Sequence, residues 1–269
     1  MEDKMKDNTG FFKKFMTSVY DINVFSKYAK EGIIKSIIYI LIICTGVGII
    51  KGGVLGYKLN RGLNIITQYL QTNGKNIYIK DGLLTLDSSI ANVNSDIYIY
   101  SDKTINEDID FKEIFYDSKI DLLILKDGIA FNNYGSIYAL NYSDMFMGED
   151  INSDRIISGA NIFSIVIVTA IIVLNIFEEL RDLVFNYLII VTAVLLISMF
   201  MKMVVKYKAL WSLVIYASTM PLIIVTILNL LKPNINFDLT FIGGTFTYVV
   251  LTLKHIKYEI IQNLSRRKI

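Results

Sequence analysis

Long apolar runs constrain this chain more than any other feature of its sequence. The run "IIKSIIYILIICTGVGII" at 33–50 is long enough to cross the roughly 30 Å hydrocarbon core of a bilayer, which takes about 20 helical residues. Further runs occupy 156–177, 183–201, 209–231 and 239–253. Since 53% of the residues are hydrophobic, the sequence predicts an α-helical membrane protein with about five transmembrane helices.

The second and third runs are separated only by "EELRD", residues 178–182. As one helix they would extend about 70 Å at 1.5 Å per residue, far more than a bilayer core. The sequence therefore predicts two spans joined by a tight turn at 178–182.

These runs divide the chain into consecutive segments. We expect a cytoplasmic amphipathic leader, a first transmembrane helix, an extracytoplasmic α+β domain, transmembrane helices two to five and a basic tail. The respective ranges are 1–32, 33–55, 56–155, 156–253 and 254–269.

The leader has an apolar face formed by Phe11, Phe12, Phe15 and Val19, with Lys13, Lys14, Thr17 and Ser18 off that face. This pattern is typical of a helix that lies among lipid headgroups. A helix packed on the protein's own spans explains it equally well, and both interpretations stay open.

Two Asp-Gly pairs predict β-hairpins in the domain between spans one and two, because a type I′ turn needs positive φ at both central residues. A loop at Asp81-Gly82 pairs Lys80 with Leu83, Ile79 with Leu84 and Ile77 with Leu86. The second hairpin joins 122–126 to 129–132 around Asp127-Gly128. We also expect a helix at 59–72 that continues the first span and stops at Asn73-Gly74.

Other stretches complete this predicted α+β domain. Alternating isoleucine and tyrosine predict strands at 96–101 and 137–142. The sequence "TINE" at 104–107 fits a capping box that opens a helix ending near Phe115.

Two patterns in the domain suggest ligands, but simpler explanations exist for both. Tyrosines that would line a strand face could stack on a sugar or peptide, or simply suit a pleated surface; they are Tyr98, Tyr100, Tyr138 and Tyr142. The spacing of acidic and polar residues from Asp102 to Glu113 resembles a calcium loop. Glu107, however, stands where that loop needs glycine. We predict no metal site, no cofactor and no catalytic residues, because His255 is the only histidine and HExxH, P-loop and GxSxG motifs are missing.

Two features point to helix packing. Gly48, Gly52 and Gly56 recur every four residues, a spacing that lets a neighbouring helix approach closely. Pro221, within the fourth run, predicts a kink because it removes a backbone donor and clashes with the carbonyl of residue 217.

Charge is segregated along the chain. Residues 1–55 carry 8 basic and 5 acidic side chains, 56–155 carry 9 and 15, and 156–269 carry 10 and 5. This favours separate compartments over nucleic-acid binding. Six lysines precede the first span, which favours a cytoplasmic N-terminus and places 58–155 outside the cell membrane. With five spans, however, the short loops and both ends, the leader included, carry eight basic residues on each side. Lys51, Lys58, Arg61 and Arg155 near the membrane ends of the domain shift the count slightly against a cytoplasmic N-terminus.

The stretches "FMTSVYDINVFSKYAKEGIIKSIIYIL", "LKDGI", "YALNYSD" and "IYASTMPLII" together resemble domain-of-unknown-function family 1189. The resemblance implies a bacterial multi-pass membrane protein with an outward-facing insert after the first span, distantly similar to the Yip1-type five-span fold. Some members are labelled maltodextrin utilisation proteins, which implies at most an accessory role in sugar uptake.

Two functional hypotheses follow. In the first, the protein is a non-enzymatic accessory or scaffold component that contacts the bilayer and either a membrane-protein partner or a second copy. In the alternative, it is a sensor whose domain binds a small ligand such as an oligosaccharide or peptide.

Overall fold

The computed structural model describes residues 10–73, 77–86, 92–94, 97–100, 103–105, 110–117, 122–233 and 235–266. These residues form two compact units. The helical unit contains the chain up to Val47, Ile176–Lys232 and the chain from Asn236 onward. The α+β unit contains Gly48–Asn175 and Pro233–Ile235.

The described helices, in chain order, are α1 (Phe11–Tyr20), α2 (Val24–Ala29), α3 (Ile33–Asn73), α4 (Phe111–Asp117), α5 (Tyr142–Met145), α6 (Ser153–Phe200), α7 (Tyr207–Ala217), α8 (Thr219–Leu231) and α9 (Asp238–Arg266). The described strands are β1 (Ile77–Lys80), β2 (Leu83–Leu86), β3 (Asn92–Asn94), β4 (Ile97–Tyr100), β5 (Leu122–Leu125), β6 (Gly128–Asn133) and β7 (Ser136–Asn141).

Among the described residues, three helices are long and apolar enough to cross a membrane: Ile33–Ile65 in α3, Ile165–Phe200 in α6 and Asp238–Gln262 in α9. The pair α7 and α8, bent by 44° at their junction, forms a fourth if the two count as one span. These helices indicate a membrane protein. The structure thus gives three or four candidate spans where the sequence predicts five.

The difference arises in α6, which runs without a break from Ser153 to Phe200. The tight turn predicted at 178–182 is wrong. Glutamate, leucine and arginine are strong helix formers, and the segment contains neither glycine nor proline to end a helix. Arg181 pairs with the neighbouring Asp182, Nη2 to Oδ1 at 3.0 Å, and both side chains are more than half exposed. The polar residues at 178–182 therefore do not form a turn between two helices.

The helical unit has a core of aliphatic and aromatic side chains from six of its helices. Phe25 of α2, Leu210 and Tyr216 of α7 and Val249 of α9 are completely buried there. Helix α2 packs on α7, and α9 packs on both α7 and α8. The leader segment therefore belongs to the packed unit.

Helix α1 packs with its own unit through part of the predicted face, Phe11 and Phe15, and through residues that the sequence places off that face. Lys14 and Ser18 are buried, and Phe11 lies against Tyr39 with ring centroids 5.5 Å apart. Phe12, which the sequence places on the packing face, is 81% exposed. Lys14 can be buried because it forms an ion pair with Glu31 of the same unit.

The α+β unit contains the two-stranded hairpin β1–β2 and a five-stranded sheet in the order β3-β4-β5-β6-β7. The hairpin has the predicted register, with Ile77 opposite Leu86 and Lys80 opposite Leu83. Its turn residues, Asp81 and Gly82, have φ of 51° and 74°. Positive φ at both positions is what a type I′ turn requires.

The second Asp-Gly pair plays a different role. Leu122 pairs with Phe131 and Ile124 with Ile129, so the connection lies at Lys126-Asp127, one residue earlier than predicted. A Cβ on Gly128 would lie 2.2 Å from the carbonyl oxygen of Leu140. Gly128 thus allows β7 to approach β6, whereas Gly82 supplies a positive φ.

Strands β4 and β5 are parallel, a pairing that the sequence did not predict. Helix α4 lies in the connection between them and begins at Phe111, where the carboxylate of Asp110 accepts the backbone N–H of Lys112 at 3.0 Å and of Glu113 at 3.2 Å. Thr104 precedes that helix, so the predicted capping box does not open it. Asp110 serves as the cap instead.

Candidate functional site

The α+β unit encloses an apolar cavity of about 190 Å³. One wall consists of two helices: α3 contributes Leu59 and Leu63, and α6 contributes side chains between Ile156 and Leu174. The opposite wall consists of strand residues, among them Leu84 of β2 and Phe131 of β6. The cavity therefore lies between the sheets and the helices of this unit.

The described residues that line the cavity are almost entirely hydrocarbon. The exceptions are the thioether of Met145 and the hydroxyl of Tyr142, which is buried and donates to the carbonyl oxygen of Leu125 at 3.2 Å. Burial, together with the nearby Asp127 carboxylate, raises the pKa of Tyr142 above its ordinary value. Because this hydroxyl is neutral and already bonded, the lining favours a ligand without hydrogen-bonding groups.

Helices α3 and α6 touch closely at the glycines that the sequence singled out. A Cβ on Gly52 would lie 2.7 Å from Cα of Ile172, and one on Gly56 would lie 2.7 Å from Cγ1 of Val168. Gly48 is also buried in α3. Small residues at this spacing allow two helix backbones to come together.

Polar contacts fix the sheet to this helix pair. Asn175 of α6 is 3% exposed, and its amide donates to Asn133 Oδ1 at 3.2 Å and to the carbonyl oxygen of Ile171 at 2.9 Å. The hydroxyl of Tyr134 donates to the carbonyl oxygen of Lys51 at 3.0 Å. The β6–β7 turn is thus bonded to both helices. The signal for this contact was a polar residue, Asn175, near the end of the apolar run 156–177, and the contact was not predicted from the sequence.

The helical unit holds a second polar feature, at the junction between α7 and α8. Ser218 Oγ donates to the carbonyl oxygen of Ile215, and Thr219 Oγ1 to that of Tyr216, both at 2.8 Å. A hydroxyl has one proton. The tyrosine hydroxyls that approach these atoms must therefore be donors: Tyr187 to Ser218 at 2.7 Å and Tyr39 to Thr219 at 2.9 Å.

These bonds satisfy backbone carbonyls where the helix is interrupted. Pro221 lies in the first turn of α8, where its missing N–H costs little because the first N–H groups of a helix have no intrahelical partner. Gly244 of α9 approaches Pro221, since an added Cβ would be 3.3 Å from Cγ of the proline. The chain bends at Ser218, and Pro221 lies in the first turn of the second segment, which begins at Thr219.

Other residues singled out in the sequence are not brought together. Tyr142 is buried beneath the sheet and Tyr138 stacks on Phe131, so neither belongs to an exposed stacking row. The side chains of Tyr98 and Tyr100 lie outside the described part of the structure. His255 forms an ion-pair contact with Glu259 along α9, Nε2 to Oε1 at 3.3 Å.

The calcium-like segment can be followed only in part. Asp102, Asn106 and Asp108 lie outside the described residues. Asp110 is occupied as the cap of α4. In the part of the chain that is described, no group of three or more histidine, cysteine, aspartate or glutamate side chains is arranged to hold a metal ion.

Comparisons with known proteins give one assignment. No curated protein and no solved structure matches the chain significantly. The family model of DUF1189, described as a protein of unknown function, matches residues 12–253. Because this match covers most of the 269 residues, the chain belongs to the DUF1189 family.

Proposed function

We propose that this chain is a non-enzymatic cell-membrane protein with four spans that acts as an accessory component of a membrane complex. In this proposal the α+β unit faces the outside and makes the contacts, while both termini are cytoplasmic. The observation that carries the proposal is that α3 and α6 each contain a candidate span and also contribute side chains to the α+β unit.

The topology is supported by the distribution of basic residues. If α6 is a single span, the leader, the α6–α7 connection and the C-terminal tail are all on one side of the membrane. Together with the first turn of α7 and the C-terminal part of α9, they carry Lys4, Lys6, Lys13, Lys14, Lys27, Lys30, Lys202, Lys206, Lys208, Lys254, Lys257, Arg266, Arg267 and Lys268. The opposite side has Lys232 in its short connection, plus Lys51, Lys58, Arg61 and Arg155 of the α+β unit. A cytoplasmic location of the larger set satisfies the positive-inside rule.

A contact function suits the way in which the α+β unit is built. The β6–β7 turn is bonded to Asn175 and to the backbone of Lys51, so the sheet is held on its helices in a fixed geometry. Strand β7 is the last strand of its sheet among the described residues. An edge strand offers backbone donors and acceptors to a partner's strand.

Site-specific photocrosslinking in native membranes tests the accessory function. A photoreactive residue at Ala139, exposed on β7, should crosslink to one discrete membrane protein. The matched control is Thr85, which is exposed on β2 and should not give that product. Crosslinks of equal intensity to many proteins from both positions would contradict the proposal.

A receptor function is a second candidate, and a polar crevice favours it. This crevice of about 410 Å³ is lined by Tyr78, Lys80, Asp150, Asn152 and Arg155 with two isoleucines. Such side chains can stack on and hydrogen-bond to an oligosaccharide or peptide, which the apolar cavity cannot do. Calorimetric titration of the purified full chain with a maltodextrin, repeated with Tyr78→Ala, tests it. Heat of binding that the substitution abolishes would favour the receptor, and no heat would leave the accessory function.

A further inference from the structure

We propose that the apolar cavity of the α+β unit binds one hydrocarbon chain of a membrane phospholipid. This inference rests on the cavity and on the exposed apolar face of α6, and it does not depend on the accessory function. The lining offers no unbonded polar atom among the described residues, so a water molecule there would lack the two to four partners that it needs. A hydrocarbon chain needs none.

The cavity has a suitable size. An apolar cavity of about 150 Å³ holds a benzene molecule, so a cavity of about 190 Å³ holds a chain segment of about seven carbon atoms by the same ratio. An acyl chain is longer than that. The proposed ligand must therefore enter through an opening and leave part of its length outside.

The structure has such an opening on α6. Leu174 lines the cavity and is 41% exposed, and Ala170, one turn earlier, also lines the cavity and is exposed. These two residues share a helix face with Val166 and Val173, which are 60% and 45% exposed. The cavity therefore opens onto an apolar stripe.

That stripe identifies the source of the ligand. All four residues lie within the candidate span Ile165–Phe200 of α6. In a bilayer, such an exposed apolar stripe is in contact with lipid chains. A phospholipid chain can therefore reach the cavity along α6 without crossing water.

The test uses the full chain in phosphatidylcholine vesicles doped with phosphatidylcholine that carries a diazirine near the methyl end of one acyl chain. Leu84 and Phe131 line the cavity and are 7% and 5% exposed. Photolysis should therefore label the strand peptides that contain them. Label confined to the exposed residues of α6 would overturn the proposal, and this outcome does not depend on any variant.

A pair of variants tests the entrance. Leu174→Trp should obstruct the opening and lower strand labelling by about tenfold, the factor expected when roughly two methylene groups lose their burial. Leu188→Trp is the matched control, since Leu188 is similarly exposed on the same helix but neither lines the cavity nor belongs to the apolar stripe, and it should label like the wild type. Equal labelling of the strands in both variants would overturn the proposal. So would strand labelling by a diazirine fatty acid added from solution but not by the phospholipid.

Discussion

Gly52 and Gly53 are neighbours in α3, yet a side chain at each would meet different surroundings. A Cβ at Gly52 would lie 2.7 Å from the backbone of Ile172, whereas one at Gly53 has open space around it. Because backbone atoms cannot turn aside as a side chain can, any residue larger than glycine at Gly52 must push α3 and α6 apart.

We therefore predict that Gly52→Leu destabilises the protein by about 1–3 kcal/mol, as overpacking of a tight contact does. Gly53→Leu is the control, because both variants gain the same helix propensity and only one meets a neighbour. Thermal unfolding in detergent measures the difference. Equal midpoints for the two variants would mean that Gly52 is merely a flexible position in the helix.

We predict that the ionisation of Tyr142 lowers the stability of the folded protein at alkaline pH. Its pKa in the folded protein is raised by burial and by the Asp127 carboxylate, whereas an exposed tyrosine in the unfolded chain titrates at about 10. The contribution of Tyr142 is thus complete below about pH 10 and is lost as the pH rises toward the folded-state pKa, because the unfolded chain then releases its proton more readily.

The corresponding variant is Tyr142→Phe, which cannot ionise. Near neutral pH it should be less stable by about 1 kcal/mol, because the hydrogen bond to Leu125 is lost. Its unfolding midpoint should also fall less steeply than that of the wild type above about pH 10. If the unfolding midpoints of the two proteins fell in parallel above about pH 10, Tyr142 would not have a raised pKa in the folded protein.

At the scale of the elements, α6 is where sequence and structure differ most. A helix of 48 residues extends about 72 Å at 1.5 Å per residue. Its length alone suggested two spans, but length does not create a turn. Only residues that interrupt backbone hydrogen bonding do that, and "EELRD" contains none.

Substitution of Arg181 by proline tests whether residues 178–182 form a helix or a turn. Arg181 is exposed and pairs with Asp182, so Arg181→Ala removes the charge without disturbing the backbone. We predict that Arg181→Pro is less stable than Arg181→Ala by about 3 kcal/mol, the cost of proline inside a helix. The difference in thermal unfolding midpoint in detergent checks this. A turn would accept proline, and the two variants would then unfold alike.

The hairpins mark the limit of what the sequence can specify. Asp81-Gly82 lies between strands of matching alternation, so both turn type and register followed from local chemistry. Asp127-Gly128 has the same letters, but its glycine is required by contact with β7, which is a tertiary effect. The parallel pairing of β4 with β5 and the apolar cavity likewise depend on contacts between distant segments.

The candidate site was predictable in part for the same reason. The glycine spacing in α3 indicated a close helix partner, but its identity as α6 at Ile172 and Val168 needed the structure. Asn175 and Asn133 are separated by 42 positions, and no local pattern links them. Pro221 indicated a bend in the fourth run, but the bonds of Ser218 and Thr219 to the carbonyls of Ile215 and Tyr216 are visible only in the structure.

At the scale of the whole molecule, the number of spans decides which segments share a compartment. With five spans, the short loops and ends carry eight basic residues on each side, and Lys51, Lys58, Arg61 and Arg155 are added on the outer side, against the positive-inside rule. Four spans bring the leader, the α6–α7 connection and the tail together, and this arrangement agrees with the positive-inside rule. The revision of one element therefore removes a conflict in the charge distribution of the entire chain.

Cysteine accessibility on intact cells checks this topology. In a Cys44→Ser background, single cysteines replace Thr85, Val204 and Ser265, each exposed in the structure. With four spans and a cytoplasmic N-terminus, a membrane-impermeant maleimide should label the position 85 variant on intact cells and the other two only after lysis. Labelling of the position 204 variant on intact cells would instead support a turn within α6 and a topology with five spans. If only the position 204 variant required lysis, α7 and α8 would form a re-entrant pair, leaving three spans and an external tail. Labelling at position 85 only after lysis would invert the molecule and contradict an external α+β unit.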